Sequence, residues 1–405
     1  MKTLRQWYRW IGPTLLFLLL IVVMRLAESQ ASKNWLETQA YTVVQWGLGL
    51  VSHADGVVVV DIADLPPDKG VTPRPALLDL MARLKDAGAL AIGVDVDFSP
   101  ENNLFVAPDD PRFFEDCLSL HMPIFLGVAR TAGNGREAWL GKREFAPLAA
   151  GIVIPEASGT VTEAGAPGPY PLFIPRLDSE GSRDELPSMA MALASVAKPD
   201  VERELTTPGW FSEPIVERTV IKGVAVPEFP VNYGFVRQLK QDSEAAKWDG
   251  GTFRPIVRSV AGKIVLIGDL KGSSESDVFA TRGGATSASG VLIHASATLT
   301  LMNRPLRVLN EWARGGVELA LVAWIGAALG ASGKNKSRKE RKMLRWKRWG
   351  LAVALPVAVA GSFWAGIIWL DWIAVPVVAV IHSFLKKTEE PAEDAAKSRQ
   401  QVAAT

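Results

Sequence analysis

Four apolar stretches frame one acidic body in this chain, and that layout limits the fold more than any single motif. The first stretch is 11–24, and the other three are 315–332, 350–370 and 373–385. A helix needs about 20 residues to cross the hydrocarbon core, so each stretch spans only when interfacial residues are counted with it. Lys2, Arg5 and Arg9 precede the first, with Trp7, Tyr8 and Trp10 suited to an interfacial belt. Arg25 and Glu28 make a poor cleavage region, which favours an uncleaved anchor over a removed signal peptide. Between the second and third stretches lies KNKSRKERKMLRWKRW, with nine Lys/Arg opposed by Glu340 alone. A short loop of that composition belongs in the cytoplasm. Four spans then put both termini in the cytoplasm and residues 28–310 on the far side of the membrane.

The enclosed body is acidic. Residues 27–310 hold 26 Lys/Arg against 35 Asp/Glu, although the whole chain has a formal net charge of only +1. Such a surface argues against nucleic acid as a partner. Cys117 is the chain's single cysteine, so no intramolecular disulfide braces the fold. The tail from Lys386 to Thr405 is too short and polar to build a catalytic module. Any output is therefore expected from a separate cytoplasmic or membrane signalling partner, and a homodimer would suit a helix-coupled receptor.

Within the body, apolar runs and helical spacings alternate. Glu28–Val51 has helical composition and is expected to continue the anchor. Val57–Ile62 and Leu90–Val96 read as strands on either side of a helix over Arg74–Ala87, with Pro75 in its first turn and Gly88 as its stop. Strand, helix and strand with short connections predict a parallel βαβ unit. A helix from Pro108 through Leu120 and a strand at Pro123–Val128 extend it, while 130–170 reads as a long irregular insertion rich in Gly, Ala and Pro. Phe173–Leu177 and Val216–Ile221 are further expected strands, with a helix over Leu186–Val196 between them. The continuous apolar run Ile264–Ile267 predicts a strand buried on both faces, and a helix follows Gly290. The expected class is α/β, a mostly parallel sheet flanked by helices.

Several segments follow one another in a distinctive order. They are VVVVDIADLPP, AGALAIGVDVDFSPEN, LPSMAMALA, FPVNYG, GKIVLIGDLKGSSESD and GVLIHASATLTLMNRP, the last leading into the three closing stretches. Together they resemble the CHASE family in its type-two form, the extracellular sensory domain named for cyclases and histidine kinases. The resemblance covers roughly residues 28–385 and implies a bacterial periplasmic or extracellular sensory domain. Relatives usually carry that domain ahead of cyclase, kinase or phosphodiesterase modules, and none is expected from the 386–405 tail. Thr281-Arg282-Gly283-Gly284 also stands where the family pattern has a Thr-Pro pair.

Ligands of a parallel sheet bind beyond the carboxyl ends of its strands. The residues expected there are Asp61, Asp64, Asp95, Asp97, Asp269 and, on the following loop, Asp277. While their strand persists, Asp95 and Asp97 should point to one face. Several carboxylates in one crevice suit a ligand or a cation; as loop-start residues, the same aspartates suit turns and helix caps equally. His294 joins the candidates from the helix after Gly290, where a structurally bonded histidine is the plainer expectation. No G-x-G-x-x-G or P-loop pattern points to a cofactor. His53, His121 and His382 show no metal-ligand spacing with one another or with Cys117.

These observations favour a non-enzymatic receptor subunit. A structural envelope scaffold is the first alternative. The second is a Mg-dependent phosphatase of haloacid-dehalogenase type, because LAIGVDVDFS and LIGDLKGSSESD resemble the acidic motifs of those enzymes. On that resemblance Asp95 would be the nucleophile, Asp97 the acid/base, and Asp269 and Asp277 the metal ligands.

Overall fold

The computed structural model of the 405-residue chain describes residues 45, 47–50, 52–68, 71–99, 107, 109–129, 143–154, 170–177, 183–221, 224–243, 260–271, 278–280, 287–303, 305–313, 315–317, 357, 361, 365, 367 and 368. It divides into two units. One takes Tyr41–Val308 with Phe363–Ile367, the other Met1–Ala40, Leu309–Ser362 and Ile368–Thr405. The expected spans at 11–24 and 373–385 and the tail lie outside the described residues, as do nearly all of 315–332 and 350–370. Among the described residues no helix is long and apolar enough to cross a membrane. Of the helix expected over Glu28–Val51, residues 45 and 47–50 are described, and they are helical.

In chain order the described elements are β1 (Val57–Asp61), α1 (Arg74–Asp86), β2 (Ala91–Asp97), α2 (Asp110–Ser119), β3 (Ile124–Val128), β4 (Ala149–Gly151), β5 (Tyr170–Pro171), β6 (Phe173–Leu177) and β7 (Arg183–Pro187). There follow α3 (Met189–Ala197), α4 (Val201–Thr206), β8 (Ser212–Pro214), β9 (Glu217–Ile221), β10 (Val224–Phe229) and α5 (Gly234–Ser243). The last are β11 (Ile264–Gly268), β12 (Val278–Ala280), β13 (Ser287–Ser289), α6 (Gly290–Asn303), β14 (Arg307–Leu309) and β15 (Ile367–Ile368), a strand within the stretch 350–370 that was expected to be a span.

The main sheet has five strands in the order β1-β11-β2-β3-β4, and every pair in it is parallel. The expected β1-α1-β2 unit is present, but β11 lies between its two strands. The reason is burial: all five residues of β11 are inaccessible, so this continuous apolar run takes a central slot where both faces are covered. On one face Val58, Val60, Ile92, Val94, Val265 and Ile267 pack with α1 and α2. On the other, Val57, Val59, Ala91, Ile264 and Leu266 pack with α3, α5 and α6. Alternate residues of each strand thus serve opposite layers, and a helix–sheet–helix sandwich results.

Two expectations are corrected here. Part of the 130–170 insertion is regular, because Ala149–Gly151 adds β4 to the edge of the main sheet beside β3. The helix expected from Leu186 begins only at Met189. Leu186 and Pro187 instead pair with Ile174 and Phe173 in the β6–β7 hairpin. Ser188 then caps α3, its hydroxyl accepting from the Met191 amide at 3.3 Å. Pro187 cannot donate a ladder bond, which suits a strand end and not a helix interior.

Helix α6 is buried on every side from Gly290 to Leu301, as a helix at the centre of a domain must be. Two of its hydroxyls bond its own backbone, Thr298 Oγ1 donating to the His294 carbonyl at 2.8 Å and Thr300 Oγ1 to that of Ser296 at 2.7 Å, while the buried Ser296 hydroxyl has no partner. Glycine lets α6 approach the sheet closely, since a Cβ on Gly268 would lie 2.8 Å from Val291 Cβ. A second, antiparallel sheet, β5-β10-β9, stands apart from the first and contributes Tyr170.

Candidate functional site

The carboxyl edge of the main sheet gathers most of the expected residues, and the backbone explains how. Asp61 of β1 pairs in register with Gly268 of β11, which in turn pairs with Asp95 of β2. The three therefore share one row on the α6 face. Asp97 lies beyond a register shift between Val94 and Asp97, where β2 bulges against β3. That bulge separates the duties of Asp95 and Asp97, which an uninterrupted strand would have aimed alike.

Three of the aspartates are occupied by the same local device. Asp61 Oδ1 accepts from the Ala63 amide at 3.0 Å, Asp97 Oδ1 from Ser99 at 2.8 Å, and Asp269 Oδ1 from Lys271 at 2.7 Å. Each carboxylate thus bonds the amide two residues on, the turn that Asp forms where a strand stops. Asp61 also accepts from Leu270 N at 3.1 Å and Asp97 from Ala129 N at 3.3 Å, which ties each turn to a neighbouring strand end. Asp64 pairs with the Lys271 ammonium at the surface. Asp277 lies outside the described residues.

Asp95 differs. No backbone amide among the described residues donates to it, and its Oδ1 lies 3.4 Å from Nε2 of the buried His294. On the far side of that imidazole, Nδ1 lies 2.5 Å from the Tyr170 hydroxyl. Burial pushes the Tyr170 hydroxyl well above its ordinary value; the Asp95 carboxylate adds to this, and the Ala190 amide opposes it. The phenol is therefore neutral. Its hydrogen is assigned to Nδ1, which leaves the Nε2 proton facing Asp95. The row Asp95–His294–Tyr170 is a polar line from the main sheet, through the central helix, to the second sheet. Ser289, the residue before α6, has a buried hydroxyl without a hydrogen-bond partner.

Among the described residues no cluster of three or more His, Cys, Asp or Glu has the geometry to hold a metal ion. Cys117 is buried in the α1–α2 layer, where burial, aided by Asp116, pushes its thiol up to about 12.

The sequence of this arrangement also matches a known family. The family model of the CHASE2 domain fits residues 16–331, well over half of the chain. The chain belongs to the CHASE2 family. CHASE2 is a family of extracellular sensory domains, so a sensory role and an association with a membrane come with membership. No curated protein and no solved structure matches the chain.

Sequence reading missed two features of this CHASE2 domain. Tyr170 sits in a two-residue strand after a Gly- and Pro-rich segment, where nothing local announces a buried phenol. Arg74 and Asp110 form a buried ion pair at 2.6 Å joining the first turns of α1 and α2, with the guanidinium 4.2 Å from the Phe98 ring centroid. Pro75 and the Asp-Pro pair at 110–111 marked both helix starts, but not that the two starts meet.

Proposed function

We propose that this CHASE2 protein is a non-enzymatic receptor subunit of the inner membrane. Its α/β body lies on the periplasmic or extracellular side and binds a small ligand, an ion or an envelope component beside Asp95. The observation that carries this reading is the Asp95–His294 approach. Asp95 is the strand-end carboxylate that no described backbone turn consumes, and it faces the helix that leads toward residues 315–332. A ligand that engages Asp95 would alter its attraction for His294 and bias how α6 packs. The chain beyond α6 would pass that bias through membrane spans at about 315–332, 350–370 and 373–385 to a separate signalling partner. Such coupling requires that ligand bind the two packings with different affinity.

Thermal unfolding of the purified full chain tests the reading across a panel of divalent cations, carboxylates, amines and envelope sugars. A ligand at a hundred times its Kd adds about 2.7 kcal/mol, roughly 5–10 °C for a domain of this size. The expected result is one such shift, lost in Asp95→Asn. Silence across the panel, together with stable capture of a partner, would favour a structural scaffold. Phosphomonoester turnover that needs Mg²⁺ and disappears in Asp95→Asn would favour the phosphatase.

A further inference from the structure

Trp210 and Phe211 stand at the tip of a tight turn between α4 and β8. The Gly209 amide donates to the Ser212 carbonyl at 2.7 Å and closes the turn beneath them. Their rings lie 5.8 Å apart and nearly parallel, at 11°, yet they are 81% and 57% exposed. Water is a poor solvent for two adjoining aromatic faces.

The base of this turn is lashed to the strand that leaves α6. Arg307 Nε donates to Ser212 Oγ at 3.1 Å, and its Nη2 donates to the carbonyls of Ser212 at 3.0 Å and Thr207 at 3.1 Å. The Ile215 amide donates to the Leu306 carbonyl at 3.0 Å. Gly209 belongs to the same joint, since a Cβ there would lie 3.0 Å from the Ser212 carbonyl oxygen and 3.2 Å from Arg307 Nη2. Arg307 stands eight residues before Gly315, where the second apolar stretch begins. Eight residues reach at most about 29 Å, so the chain itself holds Arg307, to which the turn is bonded, within that distance of Gly315.

We infer that Trp210 and Phe211 form an aromatic foot that rests in the headgroup region of the bilayer to which the chain is anchored. The inference builds on the reading of 315–332 as a span. Tryptophan favours the membrane–water interface, where an apolar ring body and a polar N–H are both satisfied. Phe211 supplies apolar area beside it, and Arg307 fixes both to the chain segment that enters the membrane. The foot would thus set the height and tilt of the body at the end of its signalling helix.

The test uses the full chain in phosphatidylethanolamine/phosphatidylglycerol vesicles, with an NBD fluorophore on Phe211→Cys and, as control, on Asp86→Cys. Native Cys117 stays in place because it is buried. Lipid carrying a shallow nitroxide should quench the 211 label at least twofold and spare the 86 label, while aqueous iodide should show the reverse. Equal behaviour of the two labels, or a 211 label shielded from both quenchers as in a protein interface, would overturn the inference. Carbonate extraction of the same vesicles separates the two readings. A chain that is stripped from the vesicles removes the anchor and the foot together, whereas an embedded chain with a water-exposed 211 label removes the foot alone.

Discussion

The Tyr170 hydroxyl meets Nδ1 of His294 at 2.5 Å inside a helix that is buried on every side. Both side chains are buried, and Tyr170 is the partner of Nδ1 while Asp95 faces Nε2. Tyr170→Phe should leave Nδ1 buried and unpaired, at a cost of about 1–3 kcal/mol. Thermal unfolding of the purified chain should show a melting point several degrees lower. Tyr170→Phe combined with His294→Leu should cost less than the two single changes added together, because the second removes the group the first has orphaned.

The aspartates at the strand ends divide by duty, and substitution should expose the division. Asp61, Asp97 and Asp269 each offer Oδ1 to backbone amides, and asparagine keeps such an oxygen. Asp61→Asn and Asp97→Asn are expected to cost under about 1 kcal/mol, whereas Asp61→Leu should cost about 1–3 kcal/mol by leaving the Ala63 and Leu270 amides unbonded. Melting curves of the four proteins check this. Equal damage from Asn and Leu would show that the charge, not the turn, matters at that position.

Gly93 and Gly268 both underlie helices, but an added methyl meets different neighbours. At Gly93 it would press on the tips of Leu193 and Met189, flexible ends that can give. At Gly268 it would lie 2.8 Å from both Cβ and Cγ2 of Val291, held close to the helix axis. Gly268→Ala should therefore destabilise by about 1–3 kcal/mol and displace α6, while Gly93→Ala should cost less. Thermal melts of both variants provide the comparison.

Cys117 contributes to the alkaline sensitivity of the fold. Its thiol is raised from an ordinary 9.0 to about 12, with burial the largest cause. From about pH 9 upward the unfolded chain releases this proton while the folded chain keeps it, so stability falls as pH rises toward 12. Tyr170, raised above its ordinary 10.0, acts in the same direction once the unfolded phenol ionises. Cys117→Ala should flatten the decline of melting point with pH between 9 and 12. Below pH 9 the native thiol should resist alkylation until the chain is denatured.

The core strands were legible because each is a short apolar run bounded by turn residues. Val57–Asp61, Ile124–Val128 and Ile264–Gly268 emerge nearly as expected, and burial on both faces gives them no competing role. Their order was not legible. Nothing local in Ile264–Ile267 tells that it enters between β1 and β2, since that choice is made by packing across some 200 residues of intervening chain. The site was half legible. Asp61, Asp95 and Asp97 do stand at strand ends of the main sheet and Asp269 directly after one, but an Asp that closes a turn and an Asp that faces a histidine look the same in sequence. The bulge after Val94, which separates Asp95 from Asp97, also has no signature of its own. Tyr170 was hidden for a further reason: its importance comes from His294, over a hundred residues later.

The claim on which the account rests is that the CHASE2 body lies outside the cytoplasm. The most direct measurement is thiol labelling in intact cells with a membrane-impermeant maleimide, using Asp86→Cys on the exposed end of α1 against a buried Cys117 that gives no background. The account predicts labelling at position 86 before lysis. Labelling that appears only after the inner membrane is breached would contradict it.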